Sequence, residues 1–125
     1  MTAMLSRRHF LAFTSAALAT TALGTPAHAA SGRFAGQGRY DVSGSATVQG
    51  SGAGRTITLS GDFRSTSGPD LYVYVGNGSA STRIARLSST RGSQTYRVPA
   101  SVGAFSTVHI HCRRFSSTFG TARLR

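Results

Sequence analysis

Cys112 has the widest chemical scope in this chain, because a thiolate can act as a nucleophile, a metal ligand or a redox group. It is the only cysteine among the 125 residues, so no partner exists for an intramolecular disulfide. Cys112 follows Val108 and Ile110 at alternating positions, which places its side chain in the core if the segment is a strand. Two interpretations stay open: a redox-active thiol, or a core thiol that packs as a small hydrophobic group.

His109 and His111 lie two residues apart, just before Cys112. In a strand they share the face opposite Cys112 and are close enough to hold a metal ion together. They predict at most a weak Cu(II) or Zn(II) site, since structural zinc needs two more ligands and the only methionines are Met1 and Met4. The alternative is a pair of solvated surface histidines. The sequence leaves the identity of any cofactor open.

A turn and two tyrosines precede the histidines in the chain. Gly68, Pro69 and Asp70 predict a tight turn whose carboxylate either caps its own backbone or serves as a ligand or an acid. Tyr72 and Tyr74 alternate with apolar residues, so both are expected on the outer face of a strand. There they can form a partner-binding face or an electron relay, or lie beneath a covering loop.

The charged residues are almost all of one type. The chain has 14 arginines, no lysine, 3 aspartates and no glutamate, for a formal net charge of +11. The absence of lysine excludes a Schiff base and a phosphate-loop lysine, and so few acids disfavour a glycosidase-type carboxylate pair. The composition therefore argues against a hydrolase, a kinase or a transferase. It favours an anionic partner, such as an acidic redox protein or an anionic component of the cell envelope.

Residues 1–29 have the organisation of an export signal rather than of a folded element. The motif SRRHFL at residues 6–11 is similar to a twin-arginine signal, an apolar segment follows at 11–23, and AHA at 27–29 matches a cleavage site. The apolar segment is shorter than the roughly 20 residues of a membrane span. We therefore expect a cleaved twin-arginine signal at 1–29 and a periplasmic or secreted domain at 30–125. Such a domain does not span the membrane, and export separates it from nucleic acid.

Short alternating segments, separated by glycine, serine and asparagine, make up the rest of the chain. They predict a single all-β domain, an antiparallel sandwich or barrel of about seven to eight strands. The predicted strands lie at residues 40–48, 55–63, 71–75, 82–87, 94–98, 107–112 and 119–124. Alternation assigns to the core the side chains of Ile57, Leu59, Leu71, Val73, Val75, Val108, Ile110 and Cys112.

Several segments, in this order, resemble the electron-transfer DM-thirteen domain family. They are GDF at 61–63, GPDLYVYV at 68–75, GSQTYRVP at 92–99, VHIHCRRF at 108–115 and FGTARL at 119–124. The similarity runs from about Gly32 to Leu124 and so covers most of the chain after the signal. One departure from the family pattern is His111, which stands where the family usually has tryptophan before its cysteine.

The resemblance implies an extracytoplasmic β domain with a redox role centred on one cysteine, which corresponds here to Cys112. The family turn corresponds to Gly68, Pro69 and Asp70. Related domains often occur beside heme-binding DOMON and cytochrome b-type domains. Because this chain has no room for such a domain, we expect it to act alone or with a redox partner protein in trans. The alternative function is non-catalytic: a cell-envelope binding or scaffold module that uses its basic, tyrosine-bearing face. The sequence leaves the oligomeric state open.

Overall fold

The structure, a computed structural model, describes residues 29–125, so the predicted export signal lies outside the described residues except for Ala29. The described residues form ten β-strands and one turn of 3₁₀ helix at Gly52–Gly54, which confirms the all-β prediction. No helix in this range is long and apolar enough to cross a membrane. The strands are β1 (Ala30–Gly36), β2 (Val42–Ser43), β3 (Ser45–Gln49), β4 (Thr56–Leu59), β5 (Arg64–Ser65), β6 (Leu71–Gly76), β7 (Thr82–Arg86), β8 (Gln94–Arg97), β9 (Thr107–Cys112) and β10 (Ser117–Arg123).

Eight of these strands form one antiparallel sheet in the order β7-β6-β9-β10-β1-β3-β4-β8. The edge strands β7 and β8 approach each other, so the sheet curls into a nearly closed barrel. The short strands β2 and β5 pair separately, and β2 packs against β1 and β10.

Alternation along the strands fills the barrel interior. All eight side chains that the sequence assigned to the core are buried, with at most 5% of their surface exposed. Phenylalanines complete the packing: Phe34 meets Phe63 edge to face at 5.5 Å, and Phe119 stacks on Tyr40 at 3.7 Å between ring centroids. Burial of this aromatic and aliphatic surface is the main favourable contribution to folding.

Two of the predicted strands are interrupted. Residues 40–48 are divided between β2 and β3 at Gly44, whose φ of 91° lies in the left-handed region that favours glycine. A Cβ at Gly44 would lie 2.6 Å from the Cα of Phe63, so the two backbone segments also pass too close to each other for a side chain. Within the predicted strand at residues 55–63, β4 ends at Leu59. A turn follows, in which the Phe63 amide donates to the Ser60 carbonyl at 3.0 Å.

Strand β1 was not among the predicted strands. Phe34 is its only fully buried residue, so the segment lacks the apolar alternation by which strands are recognised. It nevertheless lies between β10 and β3, where it pairs Phe34 with Ala122 and Gly32 with Ala46. Backbone hydrogen bonds therefore place β1 in the sheet and join the two halves of the barrel.

The pairing of β6 with β9 brings candidate residues together. On the outer face, His111 lies opposite Tyr72 and His109 lies opposite Tyr74. Cys112 points to the inner face, as predicted, so the thiol and the imidazoles are separated by the sheet itself.

Candidate functional site

Cys112 is the last residue of β9 and is completely buried. Its cross-strand neighbours are Leu71 on β6 and Ser117 on β10. The exposed residues that follow form the β9–β10 turn, so the thiol lies at one end of the barrel rather than in the middle of the core.

The predicted turn at residues 68–70 lies at the same end of the barrel as Cys112. The Arg113 amide, one residue after the cysteine, donates to the Asp70 carbonyl at 3.0 Å. Gly68 is closely packed, because a Cβ there would come within 3.1 Å of the Phe119 ring. A cavity of about 280 Å³ opens beside the turn, and Leu71 lines it. Two segments that the sequence singled out separately thus form one site.

The Asp70 carboxylate is engaged by a neighbouring strand rather than by its own turn. Arg86 Nη2 donates to Asp70 Oδ1 at 3.2 Å, and no hydrogen bond within residues 29–125 joins this carboxylate to the backbone of its turn. Of the two interpretations of Asp70, the carboxylate that caps its own backbone is therefore wrong. The carboxylate instead ties the turn to β7.

Three arginines, Arg83, Arg86 and Arg113, surround the ring of Tyr72. We call these four residues the arginine cluster. The three guanidinium carbons are 5.4, 4.8 and 5.6 Å, respectively, from the centroid of the Tyr72 ring. Arg86 Nη2 also donates to Tyr72 Oη at 3.0 Å. Such distances permit cation–π attraction, which orients the guanidinium groups over the ring.

A β-bulge in β7 makes this cluster possible. Positions 83 and 86 are three residues apart, and in a regular strand their side chains would point to opposite faces. The register shifts beside Ile84, so that Tyr74 pairs with Arg83 and Tyr72 pairs with Arg86. The extra residue thereby directs both arginines to the outer face.

His109 is buried, with 1% of its surface exposed, so the interpretation of two solvated surface histidines is wrong for this residue. Its Nε2 lies 2.8 Å from Thr107 Oγ1 and its Nδ1 lies 2.9 Å from Thr121 Oγ1. Burial, with a smaller contribution from the neighbouring His111, lowers the pKa of His109 to about 4. The imidazole is consequently neutral at physiological pH.

His111 is only half-buried and lies beside Tyr74, with 4.8 Å between ring centroids. Its Nδ1 is 3.0 Å from Thr118 Oγ1, and burial lowers its pKa. Since both nitrogens of His109 are occupied by hydroxyl groups, the predicted pair offers a metal only the Nε2 of His111. No group of three or more histidine, cysteine or acidic side chains in residues 29–125 is arranged to hold a metal ion.

Sequence reasoning found Tyr72, Asp70 and Cys112 but missed the arginines that join them. Nothing in the local pattern marks Arg83 and Arg86 as neighbours on one face, because their spacing is that of opposite faces. Arg113 could have been identified as a candidate site residue from its position directly after the cysteine. The hydroxyl partners of His109 are Thr107, two residues away on the same strand, and Thr121 on the next strand, and neither was predicted from the sequence.

Comparison with known proteins identifies the chain by family. Residues 33–124 match the family model described as Electron transfer DM13. No curated protein and no solved structure gives a significant match. The matched range runs from within β1 to the end of β10 and includes the turn at residues 68–70 and Cys112. The chain therefore belongs to the electron transfer DM13 family.

Proposed function

We propose that this chain is an exported electron-transfer accessory module whose redox group is the Cys112 thiol. Membership of the electron transfer DM13 family supports the electron-transfer role. The observation that carries the choice of Cys112 is that its neighbour in the chain is bonded to the family turn, through the hydrogen bond from the Arg113 amide to the Asp70 carbonyl. The thiol lies at the end of a strand, and the residue that follows it is hydrogen-bonded to this surface turn.

The chemistry best suited to a single thiol is exchange with a disulfide of a partner protein. Cys112 loses its proton, and its sulfur forms a bond to one sulfur of the partner disulfide. The partner S–S bond breaks, and the second partner sulfur leaves as a thiolate that takes up a proton. Cys112 is thereby oxidised to a mixed disulfide while the leaving sulfur is reduced.

This exchange requires the turn to open, because Cys112 is completely buried in the closed barrel. Short surface segments with few buried contacts open locally at a lower free energy than the whole domain. Here the turn is held by the Arg113–Asp70 backbone hydrogen bond and by the Arg86–Asp70 ion pair. The ion pair is the part of this closure that mutation can remove without altering the core.

Asp70→Asn is expected to increase the rate at which a thiol reagent modifies native Cys112. The Arg86 side chain is 61% exposed, so the ion pair contributes no more than about 1 kcal/mol, and the rate should rise about two- to fivefold. Asp62→Asn is the matched control, because it removes the exposed Arg33–Asp62 pair elsewhere on the surface. Mass spectrometry of the labelled chain, with Cys112→Ser as the blank, measures the modification.

The thiol mechanism is wrong if Cys112 is modified only through global unfolding. In that case the labelling rate follows the free energy of unfolding in every variant, and Asp70→Asn has no effect beyond its effect on stability. Selective acceleration in Asp70→Asn, with Asp62→Asn unchanged, supports a thiol reached by local opening.

The export part of the proposal rests on the motif at residues 6–11. Replacing Arg7 and Arg8 by lysine is expected to leave an unprocessed chain in the cytoplasm, since twin-arginine recognition depends on that pair. The wild-type chain should be recovered outside the cytoplasm with an N-terminus at Ala30. Arg33→Lys with Arg39→Lys is the control and should be exported normally. Wild-type chain that keeps its full mass, or stays in the cytoplasm, contradicts export.

A further inference from the structure

We infer that the arginine cluster around Tyr72 is the docking surface for an acidic face of a partner protein. The inference rests on the proposed electron-transfer function only in describing that partner as a redox protein. The docking surface comprises Tyr72, Arg83, Arg86, Arg113 and the adjoining Phe115. It lies on the outer face of β6 and β7 and extends to the β9–β10 turn.

The charge of this surface is not neutralised by the chain itself. Arg83, Arg86 and Arg113 are all exposed, and only Arg86 has a carboxylate within 4.0 Å among residues 29–125. All three aspartates and all but two of the 14 arginines fall in this range, so the domain as a whole cannot supply enough acids. Planar guanidinium groups bind carboxylates through paired hydrogen bonds, which makes an acidic surface the complementary one.

The surface is also preorganised. The guanidinium groups of Arg83, Arg86 and Arg113 all lie over one aromatic ring, which restricts their rotamers before any partner binds. The bulge at Ile84 is what brings Arg83 to this face. Ordering side chains in advance lowers the entropic cost of association. A bulge that re-aims a charged side chain onto a binding face fits a docking role better than a structural one.

Phe115 adds an apolar anchor to the charged cluster. It is 50% exposed, the only large hydrophobic side chain in the described residues with such exposure, and it lies in the β9–β10 turn, two residues after Arg113. Aromatic residues and arginine dominate the energetically important centres of protein interfaces. One phenylalanine does not form the apolar face by which an amphipathic element inserts into a membrane. These features favour a protein as the occupant.

Binding of a fluorescent decaglutamate peptide to the purified chain tests the inference, with decaglutamine as the neutral probe. The double variant Arg83→Gln/Arg113→Gln should weaken decaglutamate binding roughly five- to tenfold at low salt. The matched control, Arg123→Gln/Arg125→Gln, removes the same charge from exposed positions outside the cluster. Equal weakening by both double variants shows that net charge alone binds the probe, and this overturns the inference.

Two further measurements separate the remaining outcomes. Vesicles containing phosphatidylglycerol should bind the chain more weakly than decaglutamate does; if only the vesicles bind, and through Arg83 and Arg113, the occupant is an anionic membrane and the inference is wrong. Cys112→Ser should bind decaglutamate as the wild type does. The docking inference can therefore be correct even if the thiol mechanism is wrong. A negative result for docking likewise does not change the interpretation of the Cys112 labelling experiment.

Discussion

Phe119→Ala is expected to lower the free energy of unfolding by about 3 to 5 kcal/mol. The Phe119 side chain is completely buried and stacks on Tyr40, with 3.7 Å between the ring centroids. Its removal forfeits the transfer free energy of the ring and leaves a cavity that the curved sheet cannot close. Since small domains are stable by only about 5 to 15 kcal/mol, this loss is a large fraction of the total. Urea unfolding of both proteins measures it.

The same substitution should also expose the candidate redox site. Phe119 packs against Gly68, so its loss removes the support beneath the turn that is hydrogen-bonded to Arg113, the residue after Cys112. We expect Cys112 in Phe119→Ala to react faster with a thiol reagent than the loss of global stability explains. Phe63→Ala is the control, because Phe63 is equally buried but packs edge to face on Phe34. Equal acceleration in both variants would show that the turn has no separate opening.

The sequence predicted the inner face of the barrel well, because side-chain alternation and burial have the same physical cause. Val108, Ile110 and Cys112 are inward because a strand with one face in the core must place every second side chain there. The family resemblance, predicted to run from about Gly32 to Leu124, is confirmed by the family model, which matches residues 33–124. The limits of the strands were predicted less well. Gly44, for example, interrupts a predicted strand through its left-handed φ, which leaves no trace in the alternation of apolar and polar residues.

The outer face depends on pairing, which a single strand does not encode. Tyr72 was correctly placed outside, but its arginine neighbours depend on the bulge at Ile84 in another strand. His109 was expected at the surface and is buried, because the hydroxyls of Thr107 and Thr121 satisfy both of its nitrogens. A buried polar side chain is stable only where such partners exist. Thr107 lies on the same strand as His109, but Thr121 becomes its neighbour only when β9 and β10 pair.

Lowering the pH from 7.5 to 5 is expected to destabilise the domain by about 2 kcal/mol, through His109 alone. The folded barrel lowers the pKa of His109 from its ordinary 6.5 to about 4, because burial penalises the charged imidazole. In the unfolded chain this histidine takes up a proton as the pH falls below 6.5, whereas in the folded chain it stays neutral. The contribution of His109 to stability is therefore complete well above pH 6.5 and is lost as the pH falls through 6.5 toward 4. Below pH 4 the loss levels off at about 3 kcal/mol. Guanidinium unfolding at a series of pH values measures this slope.

His109→Gln separates titration from structure. Glutamine cannot take up a proton in this range, so the variant should lose most of the pH dependence between 7.5 and 5, even if its stability is lower throughout. His111→Gln is the matched control and should retain most of the slope, because His111 is half-buried and contributes less in the same direction. The slope is compared between variants, which cancels the repulsion among the arginines and any contribution of the three aspartates. A wild-type slope that survives His109→Gln would mean that another group, and not the buried imidazole, makes the fold sensitive to acid.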